Sequence, residues 1–323
     1  MSSNTKKLII MVIVILIVAI LTSSLCGLSS LGLGWLQSKK SQSPNTWTMK
    51  DNFSGISVKS QTGNVRFYKT NERSAKINWS GSRSTKLSVR ELGGTLTVEE
   101  TYNLPWFLRI GIHTEKTEIK IFLPRDEYRK LTVRTDTGSI EVPSAFSFDR
   151  AVIKTDTGAV SFLADVSKEL KIDTDTGRIS AGNIAAEKAE IKSDTGSVTV
   201  SDMKVSKDIR LKTDTGRIEM ANIFCQDLDV SSDTGSLTLT NVIAADKLEA
   251  ESDTGSIKLE RCDAYGKLEL ETDTGSISGT LLSGKVFKAR SGTGKVSVPE
   301  SSGGAVCTIK SDTGSITIEI AGK

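Results

Sequence analysis

Aromatic residues make up only 5% of this chain, proline occurs five times, cysteine four times and histidine once. With His113 as its sole histidine, the chain has no material for a Ser-His-Asp triad or a His-rich metal centre. Basic residues form no cluster interleaved with aromatics. A net charge of +3 on 34.7 kDa leaves no electrostatic footprint for nucleic acid. No Walker loop and no Rossmann fingerprint in a strand–turn–helix context is present, so the sequence points to no cofactor. These absences argue against an enzyme.

What the chain has instead is repetition. Asp-Thr-Gly recurs every 19 or 20 residues, at Asp136, Asp156, Asp175, Asp194, Asp214, Asp233, Asp253 and Asp273, and again at Asp312. Ser291-Gly292-Thr293-Gly294 keeps the frame without the acid. A fixed short period means one structural unit stacked on itself. Counting from the acid, the slots five and three before it are apolar in every copy, as in Leu170 and Ile172 or Ile209 and Leu211. The slot directly before it is always Thr or Ser. Four residues after it comes another apolar residue, such as Ile179 or Ile218, and most copies are apolar again two further on.

Alternation of period two on both sides of a Thr-Gly step predicts two short strands with one buried face. The corner between them falls on Gly138, Gly158, Gly177, Gly196, Gly216, Gly235, Gly255, Gly275 and Gly314. Glycine there permits a positive φ, and the Asp ahead of it can close an Asx-turn on the next backbone N–H groups. A third apolar slot nine after the acid, often preceded by Asn, makes each period a coil with about three sides. Coils stacked at ~4.8 Å make ten of them a rod on the order of 50 Å long. β-branched residues and a Gly in every unit exclude a helical repeat, and 19–20 is not a multiple of six, as a left-handed hexapeptide solenoid requires. The expectation is an all-β, parallel β-solenoid, right-handed, over residues 131–323.

Residues 47–130 carry the frame in worn form, as an irregular β region with a cap. Ile56, Val58, Ser60, Gln61-Thr62-Gly63, Val65 and Phe67 match it, and Leu87, Val89, Gly93-Gly94, Leu96 and Val98 are taken as a second match. An insertion bearing Leu104 to Ile110 reads either as a cap over the core end or as an exposed apolar contact surface. Leu8 to Leu25 has no charge and is long enough to cross a bilayer. No small-x-small cleavage site follows, and Leu25 before Cys26 is a poor lipoprotein box. Residues 1–37 are therefore expected to be an uncleaved signal anchor and 38–46 a polar linker. The solenoid is then extracytoplasmic, attached to the cytoplasmic membrane by a single span. Cys225, Cys262 and Cys307 fall on small or apolar core slots, which predicts buried free thiols.

Three chemistries are suggested by the motif and rejected. Aspartic proteases pair two Asp-Thr-Gly loops across a cleft, whereas a stack strings its carboxylates along a rod. Ice-binding Thr-x-Thr faces point the middle residue inward, where an unpaired Asp in every coil would be prohibitive. Calcium-binding repeats bring several oxygens per turn, and this one brings a single carboxylate, with Lys154, Lys192, Lys212, Arg290 and Lys310 two residues before the acid slot to offset it.

The stretch Phe53-Ser54-Gly55-Ile56-Ser57-Val58, the stretch Ile119-Lys120-Ile121-Phe122-Leu123-Pro124 and the chain of Thr-Asp-Thr-Gly-Ser-Ile units resemble the bacterial "putative adhesin" β-strand-repeat family, over residues 50–323. The resemblance implies a membrane-anchored envelope protein and carries no functional residues. Two functions fit: a rigid rod displayed for adhesion or protein assembly, or an accessory module in envelope-stress sensing. Since the sequence stops just after the strand Ile316 to Ile320, an open final coil is expected there, offered for self-association or for a partner's strand.

Overall fold

The computed structural model describes residues 45–81, 85–102 and 117–322, and every regular element in them is a β-strand. No helix among the described residues is long and apolar enough to cross a membrane. The expected span at Leu8–Leu25, Cys26, the insertion Leu104–Ile110 and His113 lie outside the described residues.

One period shows how the sequence makes a coil. Ile209, Leu211 and Thr213 alternate inward, Asp214-Thr215-Gly216 turns the corner, and Ile218 and Met220 point inward again. Asn222 turns a second corner, after which Ile223 and Cys225 fill the core before the chain bends past Gln226 into the next coil. Pairing with the neighbouring coils is parallel and in register: Ile209 lies over Leu228, Met203 over Ile223 and Ile223 over Val242. The buried side chains form one continuous core from Phe53 to Ile318. Each fully buried Ile, Leu or Val in it contributes about 1.5–3 kcal/mol.

The second corner holds the left-handed backbone that the sequence reading placed on the glycines. Asn183, Asp202, Asn222, Asn241 and Arg261, each eight residues after the acid slot, have φ between 52° and 59°. Asn and Asp tolerate this region because a short polar side chain can bond locally. Here the side chains also bond along the rod: Asn222 Nδ2 donates to Asp202 Oδ1 at 2.9 Å, and Asn241 Nδ2 to Asn222 Oδ1 at 3.2 Å.

Both ends of the stack depart from chain order. Strands Gly55–Ser60 and Asn64–Lys69 do not lie outermost. They are held between Thr95–Tyr102 and Glu118–Leu123 on one side and Glu127–Thr137 and Ile140–Val142 on the other. Ile56 sits over Leu131 and Val58 over Val133, the slots expected of the first worn copy. The second worn copy needs correcting. Gly93 and Gly94, at φ 57° and 71°, do not turn a solenoid corner but reverse the chain between antiparallel strands Thr85–Leu92 and Thr95–Tyr102. Two adjacent left-handed residues make the turn that suits a two-residue hairpin. Leu96 and Val98 then occupy the slots before the corner, over Ile56 and Val58.

At the other end Lys267–Thr274 pairs with Val306–Thr313, which pairs with Val286–Ser291. The last coil of the sequence is thus held between two earlier ones. The expected open coil at Ile316–Ile320 is corrected accordingly. That strand pairs with Ile277–Leu281 on one side, and its first two residues pair with Val296–Ser297 on the other. The outermost coil is 286–297, whose Val296 is exposed.

Candidate functional site: the corner column and the grooves beside it

The first corners of successive coils stack into a column, and its central feature is contact between glycines. A Cβ on Gly216 would lie 2.0 Å from the carbonyl oxygen of Gly196, and one on Gly235 would lie 1.8 Å from that of Gly216. The column runs from Gly63 through Gly138 to Gly275, then to Gly314 and only then to Gly294, following the stacking order and not the chain order; at Gly63 it ends against Glu100 and Thr117 of the outermost amino-terminal coil. Of the nine predicted corner glycines only Gly196, Gly275 and Gly314 have positive φ, at 150–158°, a backbone that side-chain-bearing residues rarely adopt. At the other six, closeness of approach alone demands glycine.

The aspartates turn outward. None of Asp136, Asp156, Asp175, Asp194, Asp214, Asp233, Asp253, Asp273 or Asp312 accepts a bond from a backbone N–H among the described residues. The expected Asx-turn is not formed. The residue just before each does the bonding instead. Thr155 Oγ1 donates to the Gly138 carbonyl at 3.2 Å, Ser252 to Gly235 at 2.9 Å, Ser311 to Gly275 at 3.0 Å and Ser291 to Gly314 at 2.7 Å. Thr174 is the break in this ladder, its buried hydroxyl having no partner. The signal was present in the sequence, because a constant Thr or Ser in phase with the apolar slots five and three before the acid must point inward.

Some of the expected basic offsets are made. Lys192 pairs with Asp194 at 2.7 Å, and Lys212 lies 3.7 Å from both Asp214 and Asp233. Lys154 and Lys310 pair instead with Asp173 and Glu271. Among the described residues no group of three or more His, Cys, Asp or Glu is placed to hold a metal ion. Cys225, Cys262 and Cys307 are buried free thiols, and burial pushes them up to about 12, 11 and 12.

Each exchanged end carries a cation–carboxylate clamp that sequence reasoning missed. Arg125, in the link between Glu118–Leu123 and Glu127–Thr137, donates to Asp51 through Nε at 2.6 Å and Nη2 at 3.0 Å. It also donates to the Phe53 carbonyl and lies 4.7 Å from the Tyr128 ring centroid. Lys285, in the link that steps over the inserted coil, pairs with Asp263, and both are 1% exposed. Its ammonium also donates to the Ala264 carbonyl at 2.9 Å and to Ser283 Oγ at 2.8 Å, so all three protons are satisfied.

Two grooves follow the remaining corner of the coil. The one at the amino-terminal end, about 610 Å³, is lined by Arg129, Lys130, Arg150 and Lys168 with Asp149 as its one carboxylate. The one midway along, about 520 Å³, has six carboxylates to three cations.

A single sheet of coils stacked in parallel, with equivalent side chains in columns, defines a β-solenoid repeat protein. More particularly, the chain belongs to the Toastrack DUF4097 family, which matches residues 53–211 and 204–323. Among solved structures it is similar to a "putative adhesin" from Bacteroides fragilis, with 14% identity, 87% of this chain and 98% of that one covered, and a TM-score of 0.39. A second, from Parabacteroides merdae, has 11% identity over 86% and 96%, with a TM-score of 0.47. A protein from Parabacteroides distasonis described as a "putative lipid binding protein" has 13% identity over 86% and 97%, with a TM-score of 0.43. Comparison with curated proteins found no match.

Proposed function

We propose that the chain is a non-enzymatic, membrane-anchored protein of the cell envelope, displaying its solenoid outside the cytoplasmic membrane as a rigid surface for adhesion or protein contact. The observation that carries this reading is the single continuous core, which fixes outward columns of charged side chains at a constant spacing. Contact surfaces of that kind bind by repetition and shape. The uncharged run Leu8–Leu25 supplies the anchor, and a right-handed coil is the hand that parallel crossovers favour. Self-association at the carboxy-terminal end is assigned to the outermost coil 286–297, whose strands Val286–Ser291 and Val296–Ser297 have paired edges on one side only among the described residues.

Protease added to intact cells tests the location. The solenoid should be digested while cytosolic markers survive, and full protection would overturn the reading. Sedimentation of the full chain in detergent tests self-association. Mass should fall towards monomer when Val296→Lys is introduced, and a strictly monomeric parent at high concentration removes that contact.

A further inference from the structure

We propose that the groove at the amino-terminal end of the solenoid binds a phosphate-bearing polymer through its charged backbone. The proposal rests on the reading of the chain as a contact scaffold and names the ligand chemistry of one part of it.

Five segments line this groove, and three of them, distant in sequence, are tied together by backbone bonds. Arg129 N and Lys130 N both donate to the Ser54 carbonyl, at 2.8 and 3.4 Å, while Ser54 N and Gly55 N donate to the Gly94 carbonyl at 2.9 and 3.1 Å. The walls are therefore fixed before any ligand arrives, and little ordering has to be done on binding.

The charges within it are unequally used. Lys168 pairs with Asp149 and Arg150 with Glu169, but Arg129 and Lys130 are exposed and have no carboxylate within ion-pair distance among the described residues. Along the same corner, on the far side of Ser54 and Gly55, the amides of Gly93 and Gly94 have no backbone acceptor among the described residues, and a Cβ at either glycine would meet nothing within 4 Å. Two cations outside any ion pair, in line along the corner with two open N–H donors, suit successive oxyanions along a chain. No aromatic side chain lines the groove, so it offers no platform for stacking bases or sugar rings. That leaves the backbone charge as the recognised feature. The corner itself does not impose this sign, since the same corner midway along the rod is lined mainly by carboxylates.

Isothermal titration of the full chain in detergent with linear tripolyphosphate, without divalent cations, tests the assignment. The parent should bind, and raising salt from about 50 to about 200 mM should weaken it several-fold. The double variant Arg129→Gln, Lys130→Gln should bind at least about tenfold more weakly, with a smaller salt response and unchanged melting. Lys188→Gln, Arg210→Gln in the midway groove should bind as the parent does. Orthophosphate should bind far more weakly than tripolyphosphate if the linked charges matter. No binding by the parent, or equal loss in the two double variants, would overturn the proposal. Surface exposure of the solenoid in the protease experiment would be untouched by that result.

Discussion

Between Leu131 and Leu281 the chain advances one coil per period, and every coil inside that run, though not its first or last, is covered on both faces by its neighbours in sequence. At both ends it steps over one coil and places another in the gap. At the amino-terminal end, antiparallel strands finish the closure: Ser74–Ser80 covers Glu118–Leu123, Asn45–Lys50 covers Ser74–Ser80, and Thr85–Leu92 covers Thr95–Tyr102. The carboxy-terminal end has only the exposed coil 286–297. The regular middle derives its order from repetition, whereas each end needs individual side chains, Arg125 with Asp51 and Lys285 with Asp263, to hold a connection that the repeat does not provide.

Four substitutions sharpen this contrast. The largest effect should come from the glycine column. In Gly216→Val the new side chain drives into the Gly196 carbonyl while the Gly235 coil on the other face keeps the strand from moving away, and the cost should exceed about 4 kcal/mol, enough to remove the cooperative melt. Gly294→Val meets only Gly314 on one side, so the outermost coil can lift, and the loss should be about 1–3 kcal/mol. Equal damage at both sites would show the end coil to be as confined as the middle. Next come the clamps. Lys285→Ala leaves Asp263 buried and unpaired and should cost about 3–5 kcal/mol in urea unfolding. Arg125→Ala, where the cation is half-exposed but the Asp51 carboxylate it leaves is nearly buried, should cost less, about 1.5–3 kcal/mol; the opposite ranking would mean that the amino-terminal end depends more on its clamp.

Smaller effects separate inward from outward residues within one coil. Thr213→Val keeps the shape but leaves the Gly196 carbonyl without its hydroxyl donor, at about 1–2 kcal/mol. Asp214→Asn should stay within about 0.5 kcal/mol. An Asn variant as unstable as the Val one in thermal melts would restore a structural role to the acid column. The smallest effect belongs to Glu251, whose carboxyl is raised by partial burial and then by Glu271, Asp253, Glu249 and Asp229. A carboxyl with a raised folded pKa favours the fold while protonated and costs stability as pH rises through that pKa. Glu251→Gln should therefore stabilise by a few tenths of a kcal/mol at pH 7 and by nothing near pH 3, when measured by melting at both. A gain that persists at pH 3 would assign it to packing.

Much of the coil was legible because apolar slots repeat in phase with the backbone. Leu131 over Ile56 and Leu211 under Val230 sit where period-two alternation puts them. The exchanged ends were not legible for a definite reason. Phe287 and Cys307 occupy the same slot, as do Ala289 and Ile309, so the pattern is identical whichever of the two coils lies outside. Periodicity reports which face a residue takes, not which neighbour it meets. Gly93-Gly94 did carry a hairpin signal, but reading it within the repeat frame obscured that. Asp263 stood out only as an acid in the column of Phe224 and Ile243, and Lys285 lies in a connection with no pattern to depart from.

Closure at both ends has a consequence for how such a chain can vary. Because each terminus is finished by its own exchanged coil and clamp, neither closure depends on how many regular coils lie between them. Residues Thr195 and Thr215 are equivalent points on adjacent coils, so excising or duplicating the stretch between them leaves every glycine facing a glycine and every inward slot in phase. At the level of the gene this is a unit of about 60 nucleotides, the size of event that unequal recombination between similar repeats produces. Reach thereby becomes a heritable quantity that can change in steps of ~4.8 Å, with no new terminus to invent each time.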